Sequence, residues 1–125
     1  MGVKAETSLQ KRIQNLITKR GGYVNKNWGN MTSKKGIGDL TVCYKGFYLA
    51  IEVKIDDGKP SFAQGIHCRK VWHSGGIAMI AWSVEEVEKV LDIIDAQMKI
   101  LSSTPRLIDV RNIMFQYNID DGTRW

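Results

Sequence analysis

The chain has 125 residues, a formal net charge of +5 and a pI near 9.3. That length supports one domain with a single core and excludes two. With 43% hydrophobic and 25% charged residues the composition is that of an ordinary soluble globular protein. No apolar run approaches the ~20 residues of a membrane span, and residues 1–8 lack the apolar segment of a signal peptide, so the expected location is cytoplasmic.

The charge is unevenly spread. Residues 1–70 hold 13 Lys/Arg against 5 Asp/Glu, a balance of +8, whereas residues 71–125 hold 5 against 8, a balance of −3. Phosphate attraction supplies most non-specific nucleic-acid affinity, so the asymmetry fits a polyanion lying across the N-terminal half; a basic surface kept for solubility is the plainer alternative. The two cysteines, Cys43 and Cys68, suggest no disulfide framework. With His67 and His73 they match no zinc-ligand spacing.

In chain order, a helix is expected over Ala5–Lys19, ended by Gly21-Gly22. Leu9, Ile13, Leu16 and Ile17 share one face at helical spacing, and Glu6 lies on that same face. An acid there either answers the helix dipole or points inward as a carboxylate for a site. Tyr23–Trp28 reads as a strand. The polar stretch after it carries Lys34 and Lys35, candidates for backbone-phosphate contacts or simply a loop tip.

The most informative stretch is Gly36–Lys54. Leu40–Tyr44 and Phe47–Lys54 read as strands joined by a tight Lys45-Gly46 turn, a β-hairpin. Alternation sends Phe47, Leu49, Ile51 and Val53 to one face and Tyr48, Ala50, Glu52 and Lys54 to the other, with Glu52 and Lys54 roughly 7 Å apart along the backbone. Antiparallel pairing returns Asp39 towards Glu52 and Lys54. Two carboxylates held together require a shared proton or a cation between them. Hard oxygen ligands on a strand suit Mg²⁺ or Mn²⁺, and a lysine beside them can orient a water or neutralise charge on a phosphoryl transition state. On spacing alone, an exposed Glu–Lys pair on an ordinary hairpin explains the pattern equally well.

Asp56-Asp57-Gly58 reads as a turn, and Ser61 as the cap of a helix to about Ser74 bearing Gln64, His67, Arg69 and Lys70. Arg69 and Lys70 suit phosphate contacts. Ile77–Trp82 is an unbroken apolar run, expected as a strand buried on both faces. Ser83 and Glu86 form a capping box opening a helix to about Leu101. Residues 102–125 match nothing specific, yet Val110, Ile113, Met114 and Ile119 make them too apolar for a free tail; they either cover the sheet or form a subunit interface. The expected class is α/β, in the order α-β-β-β-α-β-α with a mixed central sheet flanked by helices.

Gly36-x-x-Asp39, the hairpin, Glu52-Val53-Lys54 and then Pro60-Ser61-x-x-Gln64 opening a helix resemble the PD-(D/E)XK nucleases, in particular the stand-alone VRR-NUC domains of phage and bacterial type. The similarity spans about Glu6 to Leu91. It implies a restriction-endonuclease-like core and a Mg²⁺- or Mn²⁺-dependent endonuclease acting on structured or branched DNA. The metal would be held by Asp39, Glu52, the Val53 carbonyl and Glu6, with Lys54 positioning water and Gln64 supporting it. The resemblance also implies a homodimer. The family usually has proline before its aspartate, where this chain has Gly38, which puts the rigidity of that loop in question. A catalytically silent nucleic-acid-binding module and a sequence-selective nuclease are the competing readings. The first fits poorly with the presence of Asp39, Glu52 and Lys54 together, and the second with the absence of any extra element to read bases.

Overall fold

A computed structural model describes residues 2–27, 38–101 and 107–125; Trp28, Lys34 and Lys35 lie outside them. The elements are α1 (Gly2–Lys19), β1 (Tyr23–Lys26), β2 (Leu40–Tyr44), β3 (Phe47–Val53), α2 (Phe62–His73), β4 (Ile77–Ala81), α3 (Val84–Leu101) and α4 (Leu107–Gln116). The expected order is present, with α4 added after it.

The strands form one sheet in the order β1-β2-β3-β4. β1, β2 and β3 are antiparallel neighbours, and β4 lies parallel to β3, with Glu52 opposite Ile80. The parallel pair follows from the crossover through α2. The Lys45-Gly46 turn has positive φ at both residues, 51° and 87°, the geometry that twists a two-residue hairpin correctly.

Alternation divides the sheet into two unlike faces. Leu40, Val42, Leu49, Ile51, Val53, Ile77 and Met79 are buried in one cluster with Leu9, Ile13 and Ile17 of α1 and Val87, Val90, Leu91 and Ile94 of α3. The other face carries Ala50, Ala78 and Ile80, which pack with Cys68 and Val71 of α2 and with Trp82 and Trp125. This second, smaller cluster leaves the ends of β2 and β3 available for polar groups.

The C-terminal residues cover the domain's own sheet. Val110 and Met114 of α4 join the larger core, the backbone at Asp120 bridges Ile80 of β4, where Ile80 N donates to Asp120 O at 2.9 Å, and Trp72 Nε1 donates to Asp121 O at 2.9 Å. Among the described residues no helix is long and apolar enough to cross a membrane.

Candidate active site

Asp39 immediately precedes β2 and continues its ladder. Its N–H donates to Ile51 O at 3.1 Å, its carbonyl accepts from Asn27 N at 2.8 Å, and its side-chain Oδ2 accepts from Val53 N at 2.7 Å. The carboxylate is therefore fixed against the β3 backbone beside Glu52, close enough for the two charges to act on each other.

Glu52 projects from β3 to the α2 face and is only 4% exposed. Its Oε2 accepts from Gln64 Nε2 at 2.6 Å and faces Lys54 Nζ at 3.3 Å. Its Oε1 is buried and has no hydrogen-bond partner among the described residues. Burial and then the charge of Asp39 push the Glu52 carboxyl up to about 7 against the pull of Lys54, with Glu6 adding to the push. Burial also raises Asp39, opposed by the Val53 N–H and by the positive charges of Lys54 and Lys26. Both acids resist ionisation even beside Lys54, the electrostatics of a pair that a bound cation would relieve.

Gln64 is positioned by the start of α2. Ser61 caps the helix by accepting from Gln64 N at 3.1 Å, and Gln64 Oε1 accepts from Ser61 N at 2.7 Å. This reciprocal box uses the amide oxygen and aims the amide nitrogen at Glu52. One side chain both starts the helix and holds the site.

The structure thus brings Asp39, Glu52, Lys54 and Gln64 together, with Val53 between the acid and the lysine. Glu6 is half-buried on α1 and is near enough to Glu52 to act through its charge, but the described residues contain no group of three or more acidic, histidine or cysteine side chains gathered at ligating distance. Lys70 is exposed on α2, whereas Arg69, also exposed, donates to Thr123 O at 2.7 Å and is turned towards the C-terminal segment.

One contributor, Lys26, was not singled out in the sequence, and a second, Gly38, was noted there only as a departure from the family pattern. Lys26 is close enough to Asp39 to act through its charge; its position at the end of a four-residue strand paired with Leu40 was the available signal. Gly38 has φ +95°, and a Cβ there would sit 3.3 Å from Glu52 Oε1. Proline, locked near −65°, cannot adopt that backbone. The departure from the usual Pro-Asp pair is therefore a different backbone conformation at residue 38.

The donor set fits a hard divalent cation. Mg²⁺ is commonly held by one or two carboxylates with water completing its shell; here two raised carboxylates lie side by side, one with an unsatisfied buried oxygen.

No family model matches the sequence, and no curated protein matches it. Solved structures do. A structure described as a VRR_NUC domain aligns with TM-score 0.60 and 25% identity over 70% of this chain and 94% of the other. A second, described as a VRR_NUC domain protein, aligns with TM-score 0.56 and 20% identity over 70% and 85%. Hjc of Archaeoglobus fulgidus, a Holliday junction resolvase from an archaeal hyperthermophile, aligns with TM-score 0.50 and 21% identity over 62% and 67%. The fold is the restriction-endonuclease-like fold of these nuclease domains, and the resemblance to VRR-NUC domains holds in three dimensions.

Proposed function

We propose that this chain is a Mg²⁺- or Mn²⁺-dependent endonuclease that hydrolyses phosphodiester bonds in structured or branched DNA. The observation that carries the reading is the Asp39–Glu52 pair: two acids with raised pKa values, one bearing a buried oxygen without a partner, set beside Lys54 on a nuclease fold. Asp39, Glu52 and the Val53 carbonyl would hold the cation, and Glu6 would add negative potential from α1. When bound, the cation polarises the phosphoryl oxygen and lowers the pKa of a coordinated water.

The chain's own groups do the rest. Val53 N–H keeps Asp39 in place, and Gln64 fixes Glu52 Oε2, so neither carboxylate has to reorganise when substrate arrives. The Lys54 ammonium, 3.3 Å from Glu52 Oε2, orients the attacking water and neutralises charge on the phosphorane-like transition state. The basic N-terminal half attracts the DNA backbone, with Lys70 and the sequence-predicted Lys34 and Lys35 as phosphate contacts. The likeness to a junction resolvase supports branched DNA as the substrate. A homodimer would present two such sites to two strands, and the exposed Phe115 and Tyr117 at the end of α4 are available for pairing.

The test is cleavage of labelled four-way, flap and linear duplex DNA with Mg²⁺, Mn²⁺ or EDTA. Wild type should cut only with metal. Lys54→Ala should lose about 10²–10³-fold in rate while still binding DNA. Tight binding without cutting under any metal would instead favour a silent DNA-binding module.

A further inference from the structure

We infer that the groove alongside the carboxylate pair is a binding site for one unpaired nucleotide, so that the enzyme selects its substrate through a base that has left the stack. This rests on the nuclease reading above and names what that site recognises.

The groove has a volume of about 1010 Å³. Its floor includes Thr41 of β2 and Tyr48 of β3, and its wall includes Ala63, Ile66 and Lys70 of α2. Two of its lining residues neighbour the carboxylate site. Asn27, on the rim, donates its N–H to Asp39 O at 2.8 Å and its Nδ2 to Thr41 Oγ1 at 2.9 Å. Ala63, on the wall, directly precedes Gln64.

The lining matches the surfaces of a nucleotide. Tyr48 is an aromatic ring, 44% exposed on a strand, and its Cδ1 lies where a Cβ on Gly76 would come within 3.2 Å. The absence of a side chain at Gly76 lets the ring lie against the backbone there. Ala63 and Ile66 present apolar surface towards the same space, which suits the flat face of a base sandwiched against an aromatic ring. Asn27 and Thr41 supply donors and acceptors for a base edge or sugar hydroxyl, and the exposed Lys70 suits the attached phosphate. The concave shape favours a single nucleotide over a duplex. Concave sites of roughly 300–1,000 Å³ enclose small molecules, and a base stacked inside a duplex cannot enter one, whereas an unpaired base at a branch or gap can.

The test measures binding in EDTA, at fixed salt, of 2-aminopurine-labelled duplexes that are either fully paired or carry one unpaired nucleotide at the label. Wild type should bind the unpaired form more tightly, with a change in 2-aminopurine emission. Tyr48→Leu, which keeps an apolar strand residue but removes the ring, should weaken that form by about 5- to 100-fold, abolish the emission change and leave the paired duplex within about twofold. Lys70→Ala, a surface change that does not threaten folding, should weaken the unpaired form several-fold. Equal affinity of wild type for both duplexes, or equal loss on both in Tyr48→Leu, overturns the inference while leaving the nuclease reading intact. Failure to bind or cut any DNA removes both.

Discussion

Glu52 and Asp121 are buried to nearly the same extent, 4% and 2% exposed, yet their surroundings treat them in opposite ways. Burial raises both. Around Asp121 the donors win: Thr123 N and Oγ1 at 3.0 and 2.7 Å and Arg111 Nε at 2.6 Å hold its carboxyl below the usual range. Around Glu52 burial and the neighbouring Asp39 win, and the carboxyl rises to about 7. Asp95 resembles Asp121: burial is outweighed by Tyr44, Arg20 and Lys45, which join α1, the hairpin and α3 through it. The difference teaches that donor supply, not burial, separates an acid that holds the fold together from one kept in want of a cation.

The sharpest way to break this comparison is to neutralise each acid in turn. Glu52→Gln should lower metal-dependent cleavage by at least about a thousandfold while leaving metal-free stability equal to or above that of wild type, as urea unfolding would show. A stability loss on that substitution would mean that Glu52 serves the fold as Asp121 does.

The pH dependence of metal-free stability should separate them next. Glu52 binds its proton more tightly folded than unfolded, so its contribution is present below its ordinary value of 4.5 and is lost as pH rises through about 7. At about 1.4 kcal/mol per pH unit of displacement, wild type should lose up to a few kcal/mol between pH 5 and 8, Glu52→Gln should lose much less, and added Mg²⁺ should cancel the loss. Asp121 acts in the reverse sense: its folded pKa lies below its ordinary value of 3.8, so its stabilisation is present above that value and disappears as pH falls through the folded one. Arg111→Ala, which strips the buried Asp121 of its cation, should cost about 2–3 kcal/mol in denaturant unfolding and leave the cleavage pH profile unchanged.

Gln64 belongs to both categories. Gln64→Ala removes one half of a capping box, a loss of about 1–2 kcal/mol, and also frees Glu52 Oε2. Gln64→Glu retains an acceptor for Ser61 N but replaces the donor to Glu52 with a third acid. It should therefore keep most of the stability and lose the cleavage that depends on Glu52, a split visible by comparing melting curves with rates.

How much of this was legible in the sequence follows the range of each interaction. The hairpin, its Lys45-Gly46 turn, the Ser61 and Ser83 caps and the buried strand expected over Ile77–Trp82 depend on neighbours within a few residues, and each stands where the pattern put it, with β3 and β4 one residue shorter than expected. The meeting of Asp39, Glu52 and Lys54 was legible because a two-residue turn fixes the register. The docking of the C-terminal segment was not: Asp120 reaches Ile80 across 40 positions, and Trp72 reaches Asp121 across 49, so no local period announces them. The bridge from Gln64 to Glu52 was half legible. The Ser61 cap was foreseen and the resemblance placed Gln64 at the site, but that its amide bonds Glu52 itself depends on where α2 crosses β3.

Gly38 offers the smallest and most local test. Its φ of +95° and the 3.3 Å separation between a hypothetical Cβ and Glu52 Oε1 make it the residue whose backbone lies against the orphaned oxygen. Gly38→Ala should cost roughly 1 kcal/mol from backbone strain. It should also press a methyl group towards the one oxygen that a cation would share. If that oxygen is the metal's, the variant should need a higher Mg²⁺ concentration for half-maximal rate while its rate at saturating metal falls less. If Oε1 only fills space, the metal dependence should match wild type and the stability loss should be the whole effect.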